Sequence, residues 1–230
     1  MSTIIEKTEI WFILANSLES SCTDGRAVRG FFGDQYKSRP EFHGHLDGKL
    51  IYRHPLIQYK IFGGTPLIIG LKEGAYLLKA LPTLDNMEIY RKQYRVIKQN
   101  TVNDANSFGL AENVIRYSFV SPWIGLNEEN HIKFHATKSS SDANALLDRI
   151  LIGNLLSMSK SLGYSVDEKI HLISNLKVQE SIEVKQGVRL LGFTGDFESN
   201  FIIPELWGIG KFSSRGYGTV RRLDGRMHEK

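Results

Sequence analysis

The 230-residue chain has a net charge of +4, an apolar fraction of 41% and a charged fraction of 23%, values that are typical of a folded globular protein. It has no apolar run long enough to span a membrane, and its charged N-terminal residues argue against a signal peptide, so we expect a cytoplasmic protein. The single cysteine, Cys22, excludes an internal disulfide framework and a metal site built from several thiolates.

The chain begins with a predicted strand and helix. Residues 8–17 are rich in isoleucine and aromatic residues, which favours a strand. Apolar residues at helical spacing then predict a helix that is capped by Asp24 and ends near Tyr36. A polar loop that contains histidines is predicted over residues 37–49.

A β-hairpin is predicted next. The apolar runs 55–62 and 66–71 are separated by two glycines and a threonine, a pattern typical of a hairpin. Residues 75–81 favour a short helix. Residues 87–99 are predicted to form the last strand of this half, although their periodicity is ambiguous.

The sequence of the second half predicts the same order of helices and strands as the first. Residues 113–120 favour a strand, and the long helix that follows is capped by Asp142 or a preceding serine and ends at Gly163. Residues 169–178 and 188–197 favour two further strands before a glycine-rich tail. The stripe that would place the helix on a sheet consists of Leu147, Leu151, Leu155, Met158 and Leu162.

Each half therefore has the order strand, helix, two strands, short helix, strand, which is the order of the ferredoxin-like split βαβ motif. We predict an α+β fold class with two tandem ferredoxin-like (RRM-like) domains and a C-terminal glycine-rich loop. The polar, turn-prone composition of residues 100–107 indicates a domain boundary. The predicted domains are residues 1–105 and 106–230.

The sharpest motif is the glycine-rich segment, residues 208–218. Glycines allow backbone N–H groups to approach phosphate oxygens closely, while lysine, arginine and serine side chains supply charge and hydroxyl donors. The segment therefore favours a polyanion, with an ordinary flexible surface loop as the alternative. Its candidate binding residues are Gly208, Gly210, Lys211, Ser213, Ser214, Arg215, Gly216 and Gly218.

Two nucleotide-binding motifs are excluded for this segment. A P-loop requires a glycine five residues before the Gly-Lys pair and Ser or Thr after it, but these positions hold Glu205 and Phe212. A dinucleotide-binding fingerprint lies at the start of a βαβ unit, whereas this segment lies close to the C-terminus.

A His-x-His pair, His43 and His45, lies in the polar loop that follows the first helix. Because histidine titrates near neutral pH, such a pair can take a proton from a ribose 2′-hydroxyl or give one to a departing 5′-oxygen. Hydrogen-bonded surface imidazoles and half of a metal site are the alternatives. The metal alternative is weaker, because no Asp, Glu or Cys lies beside the pair at compact ligand spacing.

Aromatic and cationic residues also alternate along one segment, at Tyr90, Lys92, Tyr94 and Lys98. If the segment is a strand, these side chains form a platform for stacked bases and phosphates. If the segment is a helix, the tyrosines are packing residues and do not form a binding platform.

The remaining histidines favour structural roles. His131 and His135 could share a helical face, but the sequence between them also suits a strand, and no third metal ligand is evident. His54 precedes a proline at a predicted strand start, which favours a place on the sheet surface.

Residues 207–220 resemble the C-terminal glycine-rich signature of the repeat-associated mysterious protein superfamily, in which spaced glycines precede Ser, Arg and a closing Gly-aromatic-Gly. The agreement extends to residues 29–33 (Arg-Gly-Phe-Phe-Gly), the His-x-His pair, residues 50–60 and residues 119–123. Over nearly its full length the chain is similar to the CRISPR-associated endoribonucleases that cut precursor CRISPR RNA inside each repeat.

The resemblance implies metal-independent cleavage, in which the 2′-hydroxyl attacks in line and leaves a 2′,3′-cyclic phosphate and a 5′-hydroxyl. His43 or His45 would be the general base, and the other histidine would be the acid or position the phosphate. Lys49 or Tyr36, which lie nearby in the sequence, would stabilise the charge of the phosphorane. The glycine-rich segment would hold RNA, with Arg29 and Lys92 as further candidate RNA-binding residues.

The expected partner is CRISPR repeat RNA, with CRISPR effector complex proteins and a second copy of the chain (a homodimer) as further candidates. No membrane, cofactor or metal is expected. Two other functions share the motifs: a noncatalytic superfamily subunit that coats guide RNA in an effector complex, and a general RRM-like RNA-binding protein. A coating subunit would leave RNA intact, and a general RNA-binding protein would ignore the repeat sequence.

Overall fold

The computed structural model describes residues 1–18, 25–43, 45–46, 49–50, 53–185 and 187–223. The elements of the first half are, in chain order, β1 (Thr3–Leu14), α1 (Arg26–Gln35), α2 (Pro40–His43), β2 (His45–Leu46), β3 (Lys49–Leu50), β4 (Ile57–Phe62), β5 (Thr65–Leu71), α3 (Glu73–Lys79) and β6 (Asn86–Ile89). The remaining elements are β7 (Lys92–Phe119), α4 (Glu128–His135), α5 (Ser140–Ser161), β8 (Leu172–Lys185), β9 (Val188–Ile202), a 3₁₀ turn (Ser213–Arg215) and β10 (Val220–Arg222).

One long strand, β7, belongs to both halves. The main sheet has the order β4-β5-β1-β7-β9-β8, and all of its neighbouring strands are antiparallel. Because β10 also pairs with β7, the first half has the order β4-β5-β1-β7 and the second half has the order β8-β9-β7-β10. Each is the strand order of a ferredoxin-like unit, with β7 as the last strand of the first unit and the first strand of the second. The predicted α+β fold class is confirmed.

Residues 100–107, predicted to be turn-prone, lie in the middle of β7. Their backbone pairs with β1 residue by residue. Most of their polar side chains are exposed, and Asn103 accepts a hydrogen bond from the Thr8 hydroxyl at 2.8 Å. Pairing with a neighbouring strand thus outweighs the low strand propensity of asparagine and aspartate. The domain boundary after residue 105 stays a prediction.

The β4–β5 hairpin is buried on both faces. Its strands turn at Gly63 and Gly64, which confirms the predicted hairpin. Ile68 packs into the core of the first half, whereas Leu67 and Ile69 pack into the core of the second half. Alternate residues of a strand face opposite sides of a sheet, so a continuous apolar run is what a strand between two cores requires.

Helix α5 carries the predicted apolar stripe and packs against β8. Its cap is Ser139, whose hydroxyl accepts the N–H of Asp142 at 3.1 Å. The stripe residues, all at most 2% exposed, are Leu147, Leu151, Leu155, Met158 and Leu162. Within the ranges that the structure describes, no helix is long and apolar enough to cross a membrane.

Two segments differ from their predicted form. The loop predicted over residues 37–49 contains α2 and the strand pair β2–β3. Residues 87–99, predicted as one strand, include a hairpin in which β6 pairs with the start of β7 and Tyr90 and Arg91 occupy the turn. Such short elements contain too few residues to show a hydrophobic period. Asp24, the predicted cap of α1, lies outside the described residues.

We expect Leu151→Ala to lower the free energy of unfolding by about 2–5 kcal/mol, because it leaves a cavity in the core between α5 and the sheet. The matched control is Leu156→Ala on the same helix, where the leucine is 45% exposed. The control should change the free energy by less than about 1 kcal/mol. Urea unfolding measures both, and equal losses would contradict the placement of α5.

Candidate anion-binding groove

A groove with a volume of about 920 Å³ lies between the two halves of the chain. Its lining residues from the first half belong to α1, α2 and the chain around the start of β4. Its lining residues from the second half belong to α4, α5 and the glycine-rich segment, which contacts α1. A cavity of this volume is typical of a ligand-binding site.

Gln58 of β4 ties the glycine-rich segment to the first half. Its side-chain Nε2 donates to the Gly208 carbonyl at 2.9 Å, and its Oε1 accepts the Gly208 N–H at 2.7 Å. The same Oε1 accepts a hydrogen bond from Nζ of the buried Lys60 at 2.9 Å. One amide group therefore satisfies both polar groups of a buried glycine, each of which would cost about 1–3 kcal/mol if left without a partner.

His54 holds the residue that precedes this glycine. The Trp207 indole N–H donates to His54 Nε2 at 2.8 Å, and the His54 backbone N–H donates to the Ser161 hydroxyl at 2.9 Å. Burial, with the charge of Lys60 as a smaller cause, lowers the pKa of His54 to about 3. His54 is therefore a neutral, buried acceptor, which corrects its predicted place on the sheet surface.

Two glycines allow the backbone of the glycine-rich segment to pass close to Trp123 and to the Ile209 carbonyl. Gly210 has a φ of +84°, and a Cβ there would lie 2.6 Å from Nε1 of Trp123. Gly218 has a φ of +62°, and a Cβ there would collide with the Ile209 carbonyl oxygen. Only glycine adopts such a backbone without strain or steric conflict.

Further hydrogen bonds hold the segment in the second half. The Ser121 hydroxyl donates to the Gly216 carbonyl at 2.6 Å. The Lys211 backbone N–H donates to the Ile124 carbonyl at 2.9 Å, and its Nζ donates to the Leu126 carbonyl at 2.8 Å. The glycine-rich segment is thus a hydrogen-bonded, largely buried part of the fold, rather than an open surface loop.

Positive charge dominates the groove. Among the described residues that line it, the cationic side chains are those of Arg29, Arg53, Lys133, Arg149, Lys211 and Arg215. Glu41 is the one carboxylate in that described set. Burial, and after it the positive charge of Arg215, lowers the pKa of Arg29. Cations that repel one another across a groove favour an anion between them.

Most of the predicted anion-binding residues meet in this groove. The lining residues among them are Arg29, Gly210, Lys211, Ser213, Ser214 and Arg215. Nη1 of Arg29 donates to the Ser214 hydroxyl at 3.3 Å. Gly208, Gly216 and Gly218 are buried and shape the backbone of the segment. Lys92 does not line the groove; it lies on the β6–β7 hairpin, with Nζ 5.3 Å from the centre of the Tyr94 ring.

The predicted catalytic histidines belong to a stretch of chain whose two ends line the groove. Phe42 and Arg53 both line the groove. Between them, His43 ends α2, His45 lies in β2 and Lys49 lies in β3. The side chains of these three residues lie outside the described part of the structure.

Tyr36 belongs to an aromatic stack beside α2. Its ring lies 4.7 Å from that of Phe42 and 6.3 Å from that of Phe32, measured between centroids. Burial raises the pKa of Tyr36, so its hydroxyl stays protonated near neutral pH. The Phe42 carbonyl accepts a hydrogen bond from the Tyr59 hydroxyl at 2.9 Å, which joins α2 to β4.

Sequence reasoning missed several groove residues, namely Glu41, Arg53, His54, Lys133 and Arg149. Glu41 and Arg53 are isolated charges in polar segments, which carry no local pattern. The proline that follows His54 suggested an exposed strand start. The hydrogen-bond partner of the His54 ring, Trp207, lies in the other half of the chain. Only Arg149 carried a usable signal, since it lies between the stripe positions of the predicted helix and hence on its polar face.

His131 and His135 lie on an exposed face of α4, with their Nε2 atoms 3.2 Å apart. The helical alternative of the sequence reading is therefore correct. In the part of the chain that the structure describes, no three His, Cys, Asp or Glu side chains gather where they could hold a metal ion.

Sequence profiles of two domain families match almost the whole chain. The profile of the Cas6b N-terminal domain matches residues 7–107, and the profile of the Cas6b C-terminal domain matches residues 109–223.

Individual relatives agree with these profiles. This chain is 34% identical in sequence to the protein in a crystal structure of Cas6b, and the two structures agree with a TM-score of 0.85. It is 32% identical to the protein in a crystal structure of the CRISPR RNA processing endoribonuclease Cas6b, with a TM-score of 0.74. Each comparison covers 96% of this chain and 100% of the other. The uncharacterised protein MJ0978 of Methanocaldococcus jannaschii is 42% identical over 132 residues, which are 57% of this chain and 88% of that protein. The family resemblance predicted from the sequence is confirmed.

We expect the stability of the wild-type protein to depend more steeply on pH than that of His54→Gln. Because the folded-state pKa of about 3 lies below the unfolded value of 6.5, the unfolded chain binds a proton that the folded chain does not. The contribution of His54 to the free energy of unfolding is therefore fully present above about pH 6.5. It is lost as the pH falls below that value, by about 1.4 kcal/mol per pH unit. Urea unfolding at several pH values between about 4 and 7 measures it. The exposed His171→Gln is the control, and equal slopes for wild type and His54→Gln would contradict the assignment.

Proposed function

Because the chain belongs to the Cas6b family, we propose that it is an endoribonuclease that cuts precursor CRISPR RNA within its repeats. The observation that carries this proposal is the groove between the two halves, whose described lining has six cationic side chains and one carboxylate. Such an excess of positive charge suits the phosphates of a nucleic acid strand. One of the similar solved structures is a CRISPR RNA processing endoribonuclease, which supports the same substrate.

The glycine-rich segment and α1 together would bind the RNA backbone. Lys211, Ser214 and Arg215 of the segment and Arg29 of α1 present charged and hydroxyl donors to the same groove. Their phosphate contacts would fix the register of the strand without reading its sequence. Gln58 and the buried glycines hold these donors in place before RNA arrives, which lowers the ordering cost of binding.

The reaction would be a transesterification within the RNA. A general base removes the 2′-hydroxyl proton, and the 2′-oxygen attacks the adjacent phosphorus to form a pentacoordinate phosphorane. The bond to the 5′-oxygen then breaks, and a general acid gives that oxygen a proton. The products are a 2′,3′-cyclic phosphate and a 5′-hydroxyl, and two proton-transferring side chains can support every step without a metal.

His43 and His45 are the proposed acid and base. Three arguments support them: they lie in the stretch that connects the groove-lining residues Phe42 and Arg53, histidine titrates in the required range, and His54, the one histidine among the described lining residues, is unsuited. His54 cannot serve as an acid near neutral pH, since its pKa of about 3 leaves it uncharged and its Nε2 already accepts from Trp207. Lys49, or Tyr36 as a protonated donor, would stabilise the phosphorane charge.

We expect single-turnover cleavage of the cognate repeat RNA to persist in EDTA and to fall at least about 100-fold in His43→Ala, His45→Ala or the double variant, because an acid or base contributes about 100- to 10,000-fold. RNA binding, measured in parallel, should be retained. His171→Ala, an exposed histidine that does not line the groove, is the matched control.

Each other outcome has a definite meaning. Loss of activity in EDTA that zinc or magnesium restores would make the histidines metal ligands. Unchanged cleavage in the double variant would exclude both residues. Tight binding by the wild type with no cleavage would favour the noncatalytic RNA-coating subunit.

We expect Arg215→Ala to weaken RNA binding roughly 10-fold and to reduce the slope of log Kd against log salt by about 0.7–0.9, the change expected for one phosphate contact. Saturated single-turnover cleavage should change less than binding does. Arg189→Ala removes the same charge from an exposed site on β9 and should alter neither quantity. A larger effect on saturated cleavage than on binding would make Arg215 a catalytic residue.

A further inference from the structure

Glu41 is the exception to the charge of the groove. It lies in α2, and it is the one carboxylate among the described lining residues, which include six cations. Its Oε2 is shielded from solvent, yet no group donates a hydrogen bond to it in the described part of the chain. No described salt bridge involves this carboxylate either.

A carboxylate oxygen that has lost water without gaining a donor is unfavourable, and most buried polar atoms in proteins have a partner. Phosphate cannot be the missing partner, because it carries the same charge and has no donor. The missing partner must therefore present an N–H or O–H group. Within an RNA strand every ribose offers a 2′-hydroxyl, whereas the bases supply such groups in patterns that differ from base to base and can therefore give specificity.

We propose that Glu41 determines specificity by accepting hydrogen bonds from the Watson–Crick edge of an unpaired base, guanine in particular. The inference rests on the proposed RNA-processing function. Guanine presents an imino N–H and an amino group side by side, so one carboxylate can accept from both. Adenine and cytosine present an amino group beside a ring acceptor. Uracil places a carbonyl oxygen on each side of its single N–H, and these oxygens would face the carboxylate.

The surroundings of Glu41 hold it in place for such a contact. The next residue, Phe42, is 2% exposed, and its ring stacks on that of Tyr36 with centroids 4.7 Å apart. The Phe42 carbonyl accepts the Tyr59 hydroxyl at 2.9 Å. These contacts anchor the backbone of α2 beside the groove, so only the Glu41 side chain has to turn to bring Oε2 to the strand. The cations would hold the phosphates while Glu41 reads a base.

The test uses a repeat RNA that the wild-type protein cleaves, with a 2′-deoxynucleotide at the mapped cleavage position so that it stays intact during binding. A series of RNAs replaces each guanine singly with inosine, which lacks the exocyclic amino group. Binding of each RNA is measured for wild type, Glu41→Gln and Glu41→Leu. The control is Glu128→Gln, which removes a negative charge near Lys211 from an exposed residue that does not line the groove.

We expect one inosine substitution to weaken wild-type binding about 10-fold or more, in line with the loss of a base-reading contact. That penalty should shrink in Glu41→Gln and vanish in Glu41→Leu, while Glu128→Gln keeps it. The RNA-free Glu41 variants should melt at or above the wild-type temperature, because each removes the charge of a carboxylate whose shielded Oε2 has no described donor.

Three results would overturn the inference. The same inosine penalties in wild type and both Glu41 variants would show that Glu41 reads no base. Equal, uniform gains in affinity in the Glu41 variants and Glu128→Gln would reduce Glu41 to a repulsive charge. A lower melting temperature with unchanged base preference would make it a structural residue. Failure of the wild type to bind or cleave any repeat RNA is a separate result, which would reject the proposed function itself.

Discussion

The groove depends on one buried hydrogen-bonded pair, the side chain of Gln58 and the backbone of Gly208. The amide satisfies the N–H and the C=O of the same glycine, and its oxygen also accepts from Lys60. If these groups separated, polar atoms of both halves would be left buried without partners. The pair therefore fixes where the glycine-rich segment starts relative to β4, and through it where Lys211 and Arg215 lie relative to Arg29.

The shared strand β7 provides a second connection between the halves. It pairs with β1 in the first half and with β9 in the second, so no flexible linker separates the two ferredoxin-like units. The β4–β5 hairpin adds apolar contacts, since it contributes to both cores. Together these contacts keep the two groove walls at a set separation, which the proposed binding of one RNA strand would require.

The burial and the partners of each ionisable side chain in the groove decide which role it can have. The cations that line the groove suit phosphates, and the repulsion between Arg29 and Arg215 increases their preference for an anion. His54 has the side chain of a catalytic residue, but burial and the Trp207 N–H make it a neutral structural acceptor. The negative charge of Glu41 would repel RNA phosphates, and its Oε2 has no donor among the described residues. For these two reasons we infer that its partner is an RNA base. The same side-chain type can thus have opposite roles, depending on burial and on its partners.

Local patterns predicted much of the fold. The stripe from Leu147 to Leu162 predicted α5, because helix periodicity is visible over several turns. The paired apolar runs around Gly63 and Gly64 predicted the β4–β5 hairpin. Patterns failed where long-range pairing decides the structure. Residues 100–107 read as a linker, yet their strand partner β1 lies almost a hundred residues earlier.

By itself, the sequence determined the fold class and the family and located the glycine-rich segment, because periodicity and motif spacing are properties of neighbouring residues. Only the tertiary structure decided which charges share a groove. Arg29 and Glu41 are distant in the chain from Arg149 and Arg215, and no local pattern records that they meet. The structure also decided the ionisation of His54, since its pKa depends on burial and on Lys60, which only folding supplies.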